Sequence, residues 1–155
     1  DALVLPGGES TTIVKLARIF NIFQTIKDRI KSGMPVYGSC AGLILLSDHI
    51  LNGAKEQETF GGLDITTRRN AFGRQVDSFE GEIDFQGLGK IQGVFIRAPW
   101  VEEVGPNVEV LASVDGHAVA VRQSNLFATS FHPELTADLA VHRYFIENIC
   151  KVAKR

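Results

Sequence analysis

The sequence predicts an α/β fold in which helices flank a parallel β-sheet. Two short apolar segments near the start, Ala2–Leu5 and Pro35–Tyr37, are typical of buried strands. Each is followed by a glycine-containing turn and then by a segment of helical character, Thr11–Lys31 and Leu43–Leu51. Repeated strand–turn–helix units of this kind place consecutive parallel strands side by side through right-handed crossovers.

The first predicted helix has one apolar face. Its apolar residues recur at spacings of three and four, which gives a segment the amphipathic period of an α-helix. These residues are Leu16, Ile19, Phe20, Phe23, Ile26 and Ile30. Gly33 suits the left-handed position just beyond the helix end.

The later part of the chain is predicted to be richer in strands. Residues 52–75 are expected to be irregular because they are rich in Gly, Asn, Thr and Arg. Strands are predicted at Ser78–Phe85, Gly93–Ile96, Val108–Val114, Ala118–Arg122 and Leu126–Phe131. Asp115-Gly116 favours a type I′ hairpin turn. The chain ends in a predicted helix, about Ala137–Val152, whose inner face would carry Leu139, Tyr144, Phe145, Ile149 and Val152.

Composition and charge exclude several classes of protein. The chain has 155 residues, of which 45% are hydrophobic and 22% charged, and its net charge is −2. There is no basic stripe for nucleic acid and no apolar run long enough to span a membrane, so neither is an expected partner. Cys40 and Cys150 do not form a disulfide framework, and they lack the spacing of a zinc site. We expect one domain in a reducing, cytoplasmic setting.

Cys40 is the candidate nucleophile. It lies in Gly38-Ser39-Cys40-Ala41-Gly42, a sharp turn between a predicted strand and a predicted helix. Such an elbow holds its central residue in a strained backbone conformation above the sheet, and flanking glycines avoid collisions. The helix dipole is expected to lower the thiol pKa below its free value of about 8.5. The N–H of Ala41 is expected to face the nucleophile as an oxyanion donor. The alternative is that Cys40 is simply a small buried residue.

His132 is the candidate base among the four histidines. It follows a predicted strand and precedes Pro133-Glu134, and Glu134 is close enough in sequence to fold back onto the imidazole and set its tautomer. The alternative is a histidine at a strand end beside a solvated glutamate. His49, His117 and His142 are expected to be solvated or capping.

The segment Pro6-Gly7-Gly8-Glu9-Ser10-Thr11 admits three interpretations. A phosphate cradle is disfavoured because the spacing of a P-loop is absent. A plain tight turn would use Ser10 or Thr11 as the helix N-cap. A loop whose N–H groups stabilise an oxyanion is compatible with that turn. Loops after adjacent parallel strands share one crevice, so this loop should lie beside Cys40.

Three motifs, taken in order, resemble those of the class I (triad) glutamine amidotransferases: Pro6-Gly7-Gly8-Glu9-Ser10, Gly38-x-Cys40-Ala41-Gly42 and Phe131-His132-Pro133-Glu134. Further segments resemble the glutaminase subunits of pyridoxal 5′-phosphate synthase: Arg69-Asn70-Ala71-Phe72-Gly73-Arg74-Gln75, Ser78-Phe79-Glu80, Phe95-Ile96-Arg97-Ala98-Pro99 and His132-Pro133-Glu134-Leu135-Thr136. The resemblance covers essentially the whole chain. It implies a three-layer, flavodoxin-like fold with a mixed, mostly parallel sheet flanked by helices.

The resemblance also implies an activity and a set of site residues. The activity is hydrolysis of L-glutamine to glutamate and ammonia, which passes to a (β/α)₈-barrel synthase subunit that makes pyridoxal 5′-phosphate. No metal or organic cofactor takes part in this half-reaction. By motif position, Cys40, His132 and Glu134 are catalytic, and the glutamine-binding residues are Gly8, Glu9, Ser10, Arg69, Ile96 and Arg97. The oxyanion hole is expected at Gly7, Gly8 and Ala41.

Two other functions stay open from the residues alone. One is a related elbow-cysteine hydrolase, such as a peptidase or γ-glutamyl hydrolase, and the other is a non-catalytic structural or regulatory subunit. The family also carries a further N-terminal strand and helix with a Leu-Gln-Gly-like segment before the equivalent of Ala2. We therefore expect the natural protein to be longer.

Overall fold

The structure is a computed structural model that describes residues 1–53, 57–72 and 78–151. Its helices are α1 (Ser10–Ile19), α2 (Phe23–Lys31), α3 (Ala41–Leu46) and α4 (Ala140–Tyr144), which continues as a π-helical turn, Phe145–Ile149; a 3₁₀ turn spans Pro133–Leu135. Its strands are β1 (Leu3–Leu5), β2 (Val36–Ser39), β3 (Ser47–Leu51), β4 (Leu63–Arg68), β5 (Ser78–Phe85), β6 (Gly89–Ile96), β7 (Trp100–Val104), β8 (Glu109–Val114), β9 (His117–Gln123) and β10 (Leu126–Thr129).

The main sheet is mixed, and helices flank it, which confirms the α/β prediction. Its strand order is β1-β2-β10-β9-β7-β4-β3, with β8 paired to β9, while β5 and β6 form a separate hairpin. Parallel pairing joins β1 to β2, β2 to β10 and β3 to β4. The other pairings in this sheet are antiparallel. Within the described residues the sheet is therefore less parallel than the expectation of a mostly parallel sheet.

The two strand–turn–helix units lie side by side, as predicted. β1 and β2 are parallel neighbours, and their register pairs Leu5 with Gly38. The loop after β1 and the elbow after β2 consequently leave the same edge of the sheet. This edge is where the candidate site lies.

The prediction of one helix over Thr11–Lys31 is wrong, because the segment breaks into α1 and α2. Asn21 has a φ of 57°, and the N–H of Ile22 donates to the carbonyl of Ala17 at 2.9 Å, which is the closure of a Schellman C-cap. Asn tolerates this left-handed conformation better than most residues.

The apolar face predicted for this segment is also partly wrong. Leu16, Ile19 and Phe20 are exposed, and the residues that α1 and α2 bury are Ser10, Val14, Ala17, Phe23 and Ile30.

The second predicted helix, Leu43–Leu51, ends early. Helix α3 stops at Leu46, and Ser47–Leu51 forms β3 at the far edge of the sheet. Every residue of α3 is buried, so the apolar run has no period that marks where helix gives way to strand. Strands β4 and β7 were not predicted, and β4 lies inside the segment expected to be irregular.

The C-terminal predictions are largely confirmed. Val114 pairs with His117 across the hairpin, and the two turn residues have φ of 50° and 78°, both in the left-handed region that a type I′ turn requires. The strand predicted over Leu126–Phe131 ends at Thr129. The final helix begins at Ala140 instead of Ala137, and Leu139 is exposed. Of the predicted inner face, Tyr144, Phe145 and Ile149 are buried, while Val152 lies outside the described residues.

Two hydrophobic clusters account for the layers. One cluster contains buried residues of α1, α2 and α3, and the other contains those of β5, β6 and the C-terminal helix. Strand β10 contributes to both, with Leu126 and Ala128 in the first and Phe127 in the second. This alternation is typical of a central strand covered on both faces.

Candidate active site

Cys40 lies at a strained elbow between β2 and α3, as the sequence predicts. Its φ of 51° and ψ of −101° are unusual for a residue with a β-carbon. The backbone N–H of Cys40 donates to the carbonyl of Thr129 at 2.8 Å and so fixes the elbow to β10. A β-carbon on Gly42 would collide with the carbonyl oxygen of Leu5, and one on Gly38 would lie 2.5 Å from the backbone of Gly42. The flanking glycines are therefore a steric requirement of this turn.

His132 and Glu134 form the predicted pair. Nδ1 of His132 lies 2.7 Å from Oε1 of Glu134. The imidazole is nearly buried, with 11% of its side chain exposed, whereas Glu134 is 43% exposed. A carboxylate only accepts hydrogen bonds, so in neutral His132 the proton resides on Nδ1 and Nε2 is left as the basic nitrogen. The N–H of His132 donates to the carbonyl of Val94 at 2.8 Å, which anchors the backbone at this point.

The loop after β1 lies beside the imidazole. A β-carbon on Gly7 would collide with Cε1 of His132. Gly8 has a φ of 129°, a conformation that L side chains rarely adopt. The expected N-cap at Ser10 or Thr11 is wrong: Glu9 occupies that position and makes no side-chain cap, because its carboxylate is turned toward Arg69.

Most of the predicted site residues line one cavity of about 380 Å³. It is lined by Cys40, Ala41 and His132, together with each residue predicted to bind glutamine: Gly8, Glu9, Ser10, Arg69, Ile96 and Arg97. Gly7 and Glu134 do not line it but contact His132. Ile44, Asn70 and Pro99 also line the cavity and were not predicted as site residues. Asn70 has a φ of 46°, which the sequence did not indicate.

The two predicted arginines are held differently. Nη2 of Arg69 donates to Oε1 of Glu9 at 2.8 Å, and Nη1 donates to Oε1 of Gln57 at 3.0 Å. Arg97 has a φ of 41° and, within the described residues, no side-chain hydrogen bond or ion pair. Its charge acts on Cys40 by lowering the pKa of the thiol. Arg97 lines the cavity, and a guanidinium suits a carboxylate ligand.

The pKa of the Cys40 thiol is raised above its ordinary value, contrary to the prediction that the helix dipole lowers it. Burial raises its pKa to about 11, while the backbone N–H of Ala41 and the charge of Arg97 act in the opposite direction. Helix α3 has only 6 residues, so its dipole is weak. The backbone N–H of Ala41 lowers the thiol pKa, as expected of a donor beside the nucleophile. A thiol with a raised pKa needs a base to react at neutral pH, and His132 lines the same cavity.

A buried pair of hydroxyl groups connects two of the segments that carry site residues. The hydroxyls of Tyr37, on β2, and Thr129, on β10, are 2.9 Å apart, and Thr129 also donates to the carbonyl of Phe131 at 3.0 Å. Burial raises the pKa of Tyr37, so this phenol stays neutral. The pair thus links the strand that carries Cys40 to the segment that carries His132.

The other histidines lie away from the cavity. His117 stacks on Trp100 with ring centroids 3.7 Å apart. Nδ1 of His142 is buried with no hydrogen-bond partner among the described residues, so the expectation of a solvated or capping role is wrong for this nitrogen. His49 is exposed on β3.

In the described part of the chain, no group of His, Cys, Asp and Glu side chains is arranged to hold a metal. No helix in the same residues has the length and apolarity to cross a bilayer.

The chain is similar to known glutamine amidotransferases. The model of the SNO glutamine amidotransferase family matches residues 1–151. Pyridoxal 5′-phosphate synthase subunit PdxT of Nocardioides sp. is 62% identical over 151 residues, which are 94% of this chain and 75% of that protein. The PdxT of Streptomyces coelicolor is 59% identical, over 96% of this chain and 75% of that protein. The crystal structure of a glutamine amidotransferase superposes with a TM-score of 0.91 at 49% identity, covering 97% of this chain and 79% of the other.

Proposed function

The chain belongs to the SNO glutamine amidotransferase family, and from this we propose that it hydrolyses L-glutamine at Cys40 and supplies the ammonia for vitamin B6 synthesis. The single observation that carries the site assignment is the shared cavity. Cys40 and His132 line it together with residues that can bind both ends of an amino acid. Glu9 offers a carboxylate for an α-ammonium group, and Arg97 offers a guanidinium for an α-carboxylate.

The reaction we propose begins with proton transfer. Nε2 of His132 takes the thiol proton as the sulfur of Cys40 attacks the side-chain amide carbon of glutamine. The carbonyl π electrons move to oxygen, and the oxyanion is stabilised by the N–H of Ala41 and by N–H groups of the Gly7-Gly8 loop. His132 then returns the proton to the amide nitrogen. The C–N bond breaks, and ammonia leaves a γ-glutamyl thioester on Cys40.

The second half of the reaction uses water. His132 takes a proton from a water molecule that attacks the thioester carbon, and collapse of the tetrahedral intermediate breaks the C–S bond. The sulfur recovers a proton, and glutamate is released. Glu134 holds the imidazole through Nδ1 and stabilises its protonated form. The raised pKa of the Cys40 thiol supports a reaction that begins with proton transfer to His132, because a thiol with a raised pKa is not already ionised when glutamine binds.

We further propose that the ammonia acceptor is a (β/α)₈-barrel synthase subunit and that the chain acts as one amidotransferase domain in the cytoplasm. The word subunit in the names of the PdxT relatives supports a partner of this kind. The two core clusters, which both draw on β10, support the single domain.

Two readouts test the proposal: ammonia released from L-glutamine or L-asparagine, and glutamate released from a γ-glutamyl peptide. The chain is incubated with L-glutamine, with L-asparagine and with a γ-glutamyl peptide, each with and without a pyridoxal 5′-phosphate synthase barrel subunit. Release from L-glutamine alone among the three, increased by the barrel, is the expected result. Preferential cleavage of the γ-glutamyl peptide would identify a different hydrolase. No release from any substrate under either condition would overturn the glutaminase assignment.

A further inference from the structure

Gln57 joins two parts of the cavity wall that are far apart in sequence. Its side-chain amide contacts Ser10, the first residue of α1, and Arg69, which follows β4. Both of these residues line the cavity, whereas Gln57 itself does not. We infer that Gln57 is a positioning residue that holds Arg69 and Ser10 in the arrangement that binds the amino-acid end of glutamine. This inference rests on the proposed function.

The contacts fix the orientation of the Gln57 amide. A guanidinium only donates hydrogen bonds, so the group that faces Nη1 of Arg69, at 3.0 Å, must be the amide oxygen. The amide nitrogen consequently faces the Ser10 hydroxyl oxygen, at 2.7 Å. Ser10 accepts in this contact, and its own hydroxyl hydrogen is not consumed by it. Gln57 thus leaves Ser10 a donor on the cavity wall.

Arg69 depends on Gln57 for its orientation. Its other partner in the described structure is Glu9, whose side chain is 58% exposed, and an ion pair with so much solvent around it holds a long side chain only weakly. Arg69 itself is only 19% exposed, so it has exchanged most of its water for these contacts. Two acceptors on different N–H groups fix the plane of the guanidinium. One exposed acceptor leaves it free to rotate.

If Gln57 positions Arg69 and Ser10, its loss should weaken the binding of glutamine and leave the chemical step unchanged. No contact joins Gln57 to Cys40, His132 or Glu134 within the described residues, and the elbow and the imidazole are anchored by other hydrogen bonds. Losing Gln57 should therefore weaken uniform binding of glutamine, which raises KM and leaves kcat nearly constant. A hydrogen bond to a charged group is worth about tenfold or more in binding.

The first experiment measures glutaminase kinetics of the chain with its barrel partner for Gln57→Ala and Gln57→Glu. The expected result for Gln57→Ala is a KM about tenfold higher, with kcat within about twofold. Gln57→Glu keeps an acceptor for Arg69 and should recover part of the lost affinity. Gln24→Ala is the matched control, because it also removes a glutamine amide bonded to one side chain, Asp28, on the exposed face of α2.

The second experiment separates positioning from general damage. Cys40 is alkylated with iodoacetamide, which lacks an amino-acid end, and with the chloromethyl ketone analogue of L-glutamine, which has one. A positioning role predicts that Gln57→Ala slows labelling by the glutamine analogue and leaves iodoacetamide labelling unchanged. Equal slowing by both reagents, or an unchanged KM in an active enzyme, would overturn the inference. An inactive wild-type chain in the presence of the barrel would instead contradict the proposed function.

Discussion

Gly7 and His132 are in such close contact that no other residue fits at position 7 without moving the imidazole. A β-carbon there would overlap Cε1 of the ring and lie 3.1 Å from Nδ1, the atom that faces Glu134. The loop after β1 therefore packs directly against the imidazole of His132. In the proposed reaction the same loop also supplies backbone N–H groups to the oxyanion.

Gly7→Ala should inactivate the glutaminase without unfolding it. Gly7 does not have a positive φ, so the substitution strains the imidazole contact and not the backbone. Displacing a general base by about 1 Å is expected to cost on the order of 10²-fold in kcat. Steady-state ammonia release measures the loss, and thermal unfolding checks the fold. Gly81→Ala is the control, since a β-carbon there meets nothing within 4 Å. Full activity in Gly7→Ala would mean that His132 is not the base.

Glu134→Gln should preserve the arrangement of the site but slow the hydrolysis of glutamine. The amide is nearly isosteric with the carboxylate, yet it cannot stabilise a protonated imidazole by charge, and it can present a donor to Nδ1 and reverse the tautomer. We expect kcat to fall roughly 10²–10⁴-fold with little change in KM, the range usual for losing general acid–base catalysis. Saturation kinetics with L-glutamine make the measurement. A loss confined to KM would assign Glu134 to substrate binding instead.

The unliganded chain should show a slow, pH-dependent reaction of Cys40 with iodoacetamide. Burial disfavours the charged thiolate, so the pKa of the thiol in the folded chain, about 11, lies above its ordinary value. The thiolate fraction is then small at neutral pH and grows as pH rises. The labelling rate should increase steadily from about pH 6 to pH 10 with no plateau. Peptide-resolved mass spectrometry separates Cys40 from Cys150. A plateau below about pH 8 would show a preformed thiolate.

The arrangement of Cys40, His132 and Glu134 was predictable because these residues lie in short motifs with fixed local geometry. The elbow glycines around Cys40 and the two-residue spacing from His132 to Glu134 specify their own conformations. The Gly7 loop lies beside the Cys40 elbow because the two consecutive strands that precede them pair in parallel. The substrate-binding residues came from the family resemblance, and whether they bind glutamine stays a prediction.

The parts that were missed depend on tertiary context. The break at Asn21 interrupts a segment whose apolar spacing is that of a single helix, and the fully buried run Leu43–Leu46 has no period to mark the start of β3. Gln57 gave no signal, because its partners lie 47 and 12 residues away in sequence. The thiol pKa of Cys40 was predicted in the wrong direction because burial by the surrounding fold outweighs the dipole of a short helix.

The most direct test of the account compares the two cysteines. Ammonia release from L-glutamine, in the presence of the barrel synthase, is measured for the wild-type chain, Cys40→Ala and Cys150→Ala. The account predicts that Cys40→Ala releases no ammonia above background and that Cys150→Ala retains activity near the wild-type level. Substantial glutamine hydrolysis by Cys40→Ala would contradict the thioester mechanism and with it the assignment of this cavity as the active site.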